Sequence, residues 1–251
     1  MKKSLLFIVI SIVLFSKSYS QVNVKDSSIF TPLLGASYAY QIPGGHMAER
    51  FGNNSNIGVT FLVKTKKNWL YGFDANFIFG DKLKEDSIFR NISTEEGAII
   101  NQNGELAQIL LYERGYTASL KFGKLFNKWA PNPNSGIMIL GSAGFIQHKI
   151  RIENAGNNAP QVLGDYKKGY DRLTNGLAIT EFIGYMYLGN KRLVNFYGGF
   201  EFTQAWTQNR RNFNFDTMEK DDTKRNDYLS GIRIGWIIPL YKKTPDKFYY
   251  Y

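Results

Sequence analysis

Cysteine is absent from all 251 residues. That excludes disulfides, cysteine-ligated metals and a lipoprotein anchor, which needs an acylated cysteine at the mature start. Histidine is reduced to His46 and His148, too few for a histidine-rich metal centre. Beyond residue 20, no stretch approaches the roughly 20 apolar residues of a helical membrane span. Glycine-rich phosphate loops and nucleic-acid-binding motifs are missing. Proline is scarce, at 7 residues against 24 glycines, a balance that suits strands with tight packing.

The first 20 residues read as a secretory leader. Lys2 and Lys3 precede the apolar run Leu5–Phe15, which is too short to cross a bilayer, and Ser18-Tyr19-Ser20 ends in a small residue suited to cleavage. Removing the three lysines of that leader leaves 28 basic against 21 acidic residues, a net charge of +7. So mild an excess fits loops that meet anionic lipopolysaccharide, or simply a solvated surface. The division expected is a leader over 1–20, one domain over 21–241 and an aromatic tail over 242–251.

What the chain has is alternation. From Trp69 it reads WLYGFDANFIF, so that Trp69, Tyr71, Phe73, Ala75, Phe77 and Phe79 share one parity, and Gly72, Asp74 and Asn76 the other. A strand sends these two sets to opposite faces. Eight such segments are predicted, near 32–41, 56–65, 68–80, 107–123, 136–151, 176–188, 193–207 and 227–241. The face of the fifth is ambiguous. The sixth is also ambiguous; placing Glu181 inward turns Phe182, Met186 and Leu188 outward.

A soluble barrel would turn the apolar face inward. Three features favour the reverse. The polar face is built of Gly, Ser, Thr and Asn, as a narrow lumen requires. The aromatics are too bulky to fit inside. They also gather near strand ends, at Tyr38, Tyr40, Trp69, Tyr71, Tyr112, Phe122, Trp206 and Trp236, as interface girdles do. Connections alternate short and long, the outer-membrane pattern of short periplasmic turns and long extracellular loops, except that Lys124–Ser135, at about a dozen residues, is longer than a short turn. The fold expected is therefore all-β: an antiparallel, transmembrane, up-and-down β-barrel of eight strands. Ten strands is the alternative, if a long loop supplies more.

An eight-strand barrel has an interior that side chains can fill. The inward parity carries Lys64, Asp74, Glu113, Lys121, Glu181, Glu201 and Arg233. Unpaired charges in so confined a space are costly, which predicts ion pairs: Arg233 with Glu201, and Lys64 or Lys121 with Asp74. Such a network is either a plug that specifies the barrel or a gated ion path.

No catalytic, metal or cofactor site is predicted. His148, with Ser142 nearby on the same segment, and His46, within GGHMAER, lack a serine or aspartate partner at diagnostic spacing. GGHMAERFG is expected to form a short loop helix. Aromatic and basic clusters in the loops include Tyr166, Tyr170, Arg172, Arg210, Arg211 and Phe213. These suit a partner surface, or a lid packed on itself. Phe248, Tyr249, Tyr250 and Tyr251 end the chain past the last predicted strand, where they could line the periplasmic rim or bind a partner.

The Ser20-Gln21 junction, the alternating strands and the aromatic tail together resemble the small outer-membrane barrels of Bacteroidota, a porin-like or OmpA/OmpX-like group. The likeness is one of architecture across the mature chain. It implies an accessory or scaffold role in an outer-membrane machine for secretion, barrel insertion or surface-lipoprotein export, in contact with outer-membrane lipid, lipopolysaccharide and protein partners. Asp86-Ser87-Ile88 and Asp216-Thr217-Met218 resemble that group's O-glycosylation pattern, which implies Ser87 and Thr217 as acceptors.

Overall fold

Each alternating segment forms one strand of a single closed sheet. The computed structural model describes Val24 and residues 26–189 and 193–240. The leader (1–20) and the tail with Phe248–Tyr251 lie outside the described residues. The strands are β1 (Thr31–Gly45), β2 (Asn54–Lys64), β3 (Trp69–Gly80), β4 (Ile109–Phe126), β5 (Gly136–Asn154), β6 (Thr174–Leu188), β7 (Asn195–Asn209) and β8 (Lys224–Pro239). Each pairs antiparallel with the next, and β8 closes on β1 in the register Ala36 opposite Trp236. Closure removes every sheet edge.

Eight is the strand number, not ten. Among the described residues, the long loop between β3 and β4 makes only isolated bridges, Phe51 with Leu83 and Ile100 with Leu106, and one short 3₁₀ turn, Asp86–Phe89. GGHMAER does contain a helix, α1 (His46–Arg50). It starts at Gly45, whose φ of 58° is in the left-handed region that glycine enters freely. β4 and β5 have 18 and 19 residues. At about 3.3 Å per residue and a tilt near 40°, they stand well above an apolar belt of about 25 Å.

The wall is apolar all round. Leu34, Tyr38, Ile57, Val59, Phe73, Phe77, Leu120, Phe122, Leu177, Phe200, Ile232 and Trp236 are all exposed. An apolar surface this extensive is what lipid, and not water, covers.

The lumen is filled in tiers. At the short-turn end an apolar layer joins Leu33, Leu62, Leu70, Leu125, Met138, Leu140, Phe182, Met186, Leu188 and Ile237 to Val24 and Ile29 of the N-terminal segment. At the long-loop end Ile78, Ile146, Ile150, Ala178, Ala205 and Leu229 pack with loop residues Met47, Phe51, Ile88, Ile99, Val162 and Tyr170. Polar side chains occupy the level between.

This layering inverts the expectation for β6. Phe182, Met186 and Leu188 are buried in the lower apolar tier, and Glu181 points outward. Inward does not mean polar at that end, because the tier is dry and needs bulky hydrocarbon to fill it. β5 resolves the same way, with Met138, Leu140, Ile146 and Ile150 inside.

Candidate functional site

The central tier brings four charged residues together with their neutral neighbours. Arg233 on β8 donates from Nε to Glu201 Oε2 at 2.5 Å and from Nη2 to Oε1 at 3.0 Å. Its remaining donors reach Ser37 Oγ at 2.8 Å, Asn76 Oδ1 at 3.2 Å and Asn56 Oδ1 at 3.1 Å. All five guanidinium N–H groups are thereby used. Gln41 Nε2 donates to Glu201 Oε1 at 2.9 Å. Beside this pair, Lys121 Nζ lies 2.8 Å from Asp74 Oδ2, and Asp74 also accepts from Asn76 Nδ2 at 2.9 Å and Ser119 Oγ at 2.5 Å. The two ion pairs flank a cavity of about 30 Å³, room for a water molecule and little else.

The other three charges grouped with these by parity lie elsewhere. Lys64 is at the short-turn end, where Nζ donates to Asn134 Oδ1 at 2.8 Å, Ser28 Oγ at 3.1 Å and the Ile29 carbonyl at 3.3 Å. Asn134 in turn donates to the Val24 and Ser27 carbonyls at 2.7 and 2.8 Å. Lys64 therefore tethers the N-terminal segment inside the barrel mouth, and Lys121 alone serves Asp74. Glu113 sits at the opposite end and accepts from Asn54 Nδ2 at 3.0 Å. Glu181 faces out, where it lines a wall groove.

Near Glu113 is a cluster that sequence spacing hides. His148 is fully buried and its Nε2 is 3.1 Å from Asp227 Oδ2. Asp227 also accepts from Thr207 Oγ1 at 2.5 Å and from Arg50 Nη2 of α1 at 3.3 Å. Arg50 Nη1 donates to Thr174 Oγ1 at 3.2 Å. Burial lowers the Arg50 pKa from its ordinary value, opposed by the Asp227 charge. His148 thus has an aspartate partner, contrary to the expectation from spacing. The usable signal is parity, since both residues fall on the inward set near the long-loop ends of their strands. A histidine–aspartate pair becomes catalytic through a nucleophile on the other ring nitrogen. Here Nδ1 meets no polar partner among the described residues, and the Phe51 ring closes edge-on against the imidazole at 5.5 Å. Ser142 is turned to the Thr180 carbonyl at 3.3 Å. The pair fastens α1 across the mouth. No set of three or more metal-ligating side chains occurs among the described residues.

The loop residues divide. Tyr170 is buried between the rings of Phe89 and Phe215, each at 5.3 Å. Arg172 is also buried, paired to Asp216 at 2.5 Å and Glu85 at 3.1 Å. Both are interior to the lid, which corrects their place on a partner surface: apolar loop contacts draw the ring inside, and the paired carboxylates take the guanidinium with it. Arg211 is held by Asp171 through two bonds of 2.7 and 2.5 Å, and that bonding raises its pKa. Arg210 donates to Asn175 Oδ1 at 2.6 Å from an exposed position. Tyr166, at 62% exposure, and Phe213 stay open to solvent. Ser87 and Thr217 are exposed on loops.

No protein-family model matches the chain, and no curated protein matches it. Among solved structures, Neisserial surface protein A is similar at 12% identity over 82% of this chain and 96% of that one, with a TM-score of 0.42. The N-terminal barrel domain of Pseudomonas aeruginosa OprF is similar at 8% identity, over 83% of this chain and 99% of that one, with a TM-score of 0.39. Ail, the attachment invasion locus protein of Yersinia pestis, is similar at 9% identity, over 84% of this chain and 99% of that one, also at 0.39. The barrel assignment itself rests on the closed register of the chain's own strands.

Proposed function

We propose that this chain is a non-enzymatic, integral outer-membrane barrel that serves as an accessory or scaffold subunit of a larger outer-membrane complex, for secretion, barrel insertion or surface-lipoprotein export. The observation that carries the reading is the filled lumen. An apolar tier, a tier of paired charges and a loop-capped apolar tier follow one another along the axis. A barrel filled in this way offers no conduit, and the buried His148–Asp227 pair offers no accessible nucleophile. What can act on other molecules is the outside: the wall, the loops and the short-turn rim. In this orientation the short turns face the periplasm.

A second reading is a stand-alone barrel that binds lipopolysaccharide or another surface ligand. The exposed Tyr166, Phe213 and Arg210 on an otherwise fastened lid support it. Ser87 and Thr217 are then candidate glycan acceptors, tested by the mass of the loop peptides. A lipid-A-modifying enzyme that uses His148 ranks last, because the ring is sealed.

The test is isolation of the full-length protein from its native outer membrane in mild detergent, followed by sizing and mass spectrometry. A discrete stoichiometric assembly is expected. A lone barrel carrying lipid or ligand would transfer the function to the second reading.

A further inference from the structure

Glu181 is exposed in the middle of β6, where the wall is otherwise hydrocarbon and aromatic. Four residues toward the loops stand Leu177 and, across from it, Trp206; four residues the other way stands Tyr185 opposite Gly198. Its own cross-strand neighbours are Gly141 and Phe202. Ile139, Ile179, Ile183 and Phe200 surround it, all exposed. Among the described residues no hydrogen bond or ion pair reaches the carboxylate. Three other outward charges stand nearer strand ends and have partners: Lys124 over the Trp69 ring at 4.9 Å, Arg114 on the Gly80 carbonyl at 3.3 Å, Lys149 near Asp171 at 3.9 Å.

A charge on the lipid face at mid-depth destabilises a barrel, and an intramembrane ionisable residue calls for a partner. Glu181 sits in a groove of about 520 Å³ lined by Ile139, Gly141, Phe200, Phe202 and Ser230. The groove is open because Gly141 carries no side chain; a Cβ there would meet nothing nearer than the Phe122 carbonyl at 3.9 Å. A second groove, of about 650 Å³, continues on the same wall over Gly198 and Gly235, between Tyr185, Phe196 and Trp236.

We propose that this wall seats a membrane-spanning segment of another protein, which presents a Lys or Arg to Glu181 at mid-depth. The proposal rests on the subunit reading above and gives that subunit its contact face. Charge complementarity selects the occupant. A lone cation on the partner would be as unfavourable in hydrocarbon as the lone carboxylate, and pairing relieves both. A second copy meeting this face about a two-fold axis would set carboxylate against carboxylate. Lipid amines ride at headgroup level, beyond the Trp206 and Tyr185 rings.

The experiment places photoreactive benzoylphenylalanine at Ile183, beside the groove, and at Phe73, exposed on β3 on the far side of the barrel, in the full-length protein in its native membrane. Irradiation at position 183 is expected to join one other polypeptide, through a membrane-spanning segment that carries Lys or Arg, while position 73 stays silent. Glu181→Gln and the groove-filling Gly141→Leu are each expected to cut that yield at least tenfold, with heat-modifiable gel mobility showing that the barrel is still folded. Glu181→Lys should abolish it, and exchange of the partner's basic residue for Glu should restore it. Cross-linking to a second copy or to lipid alone, or yields that ignore these variants, would overturn the proposal. A stoichiometric assembly with position 183 silent would overturn it and leave the subunit reading standing. Absence of any assembly would overturn both.

Discussion

Glu201 and Glu181 lie on neighbouring strands one register step apart, and they face opposite ways. Glu201 looks inward, where Arg233 and Gln41 saturate it. Glu181 looks outward, where no hydrogen bond or ion pair from the described chain reaches it. The barrel completes its interior by itself and leaves its exterior incomplete. That contrast teaches where to look for function: groups satisfied within the chain hold the fold, and an unsatisfied charge in an unfavourable setting marks a contact still to be made.

The largest test of the contrast is Arg233→Ala. It strands Glu201 in a dry interior and should cost about 3–5 kcal/mol of folding stability, read as the urea midpoint in lipid. Conductance in planar bilayers should not rise. Unchanged stability with a new conductance would make the charged tier a gate instead of a plug. Next, Met186→Ala empties a fully buried position in the lower tier and should cost about 2 kcal/mol or more. Glu181→Leu should do the opposite, raising the stability of the isolated barrel by about 1 kcal/mol, below the penalty of about 2–4 kcal/mol known for basic residues on a lipid face. A loss of stability on that change would mean that Glu181 has a partner within its own chain.

The smallest effect concerns the last loop. Burial would raise the Asp221 pKa, but bonds from Arg225 and from the Thr223 amide at 3.1 Å hold it below the usual carboxylate range. A depressed carboxylate stabilises fully above its unfolded pKa of about 3.9 and ceases to do so as pH falls through the folded value. Proteolysis of residues 210–223 should therefore quicken slightly at pH 3 relative to pH 7. Asp221→Asn should flatten that response. The solvent around the pair keeps it modest.

Strand number, order and the outward parity of β3, β7 and β8 were legible because one face of each is aromatic or aliphatic and the other small or polar. β6 was not, since both its faces are rich in hydrocarbon and a single glutamate suggested the wrong one. Only the dry lower tier, built from Phe182, Met186 and Leu188 together with β5, decides the matter. The Arg233–Glu201 and Lys121–Asp74 contacts follow from parity plus the need to pair confined charges. Tyr170 and Arg172 could not be sorted from Tyr166 and Phe213 by composition, because burial in a lid depends on the loops that fold over it. His148 and Asp227 are separated by 79 residues, and only their common height on the inward face brings them together.

The most direct measurement is the fraction of folded chain found in the assembly, compared between Glu201→Gln and Glu181→Leu in the native membrane. If the interior serves the fold and the wall serves the partner, Glu201→Gln lowers the midpoint while its folded molecules remain in the assembly, and Glu181→Leu leaves the assembly while fully folded. Retention of Glu181→Leu in the assembly with loss of Glu201→Gln would contradict the account.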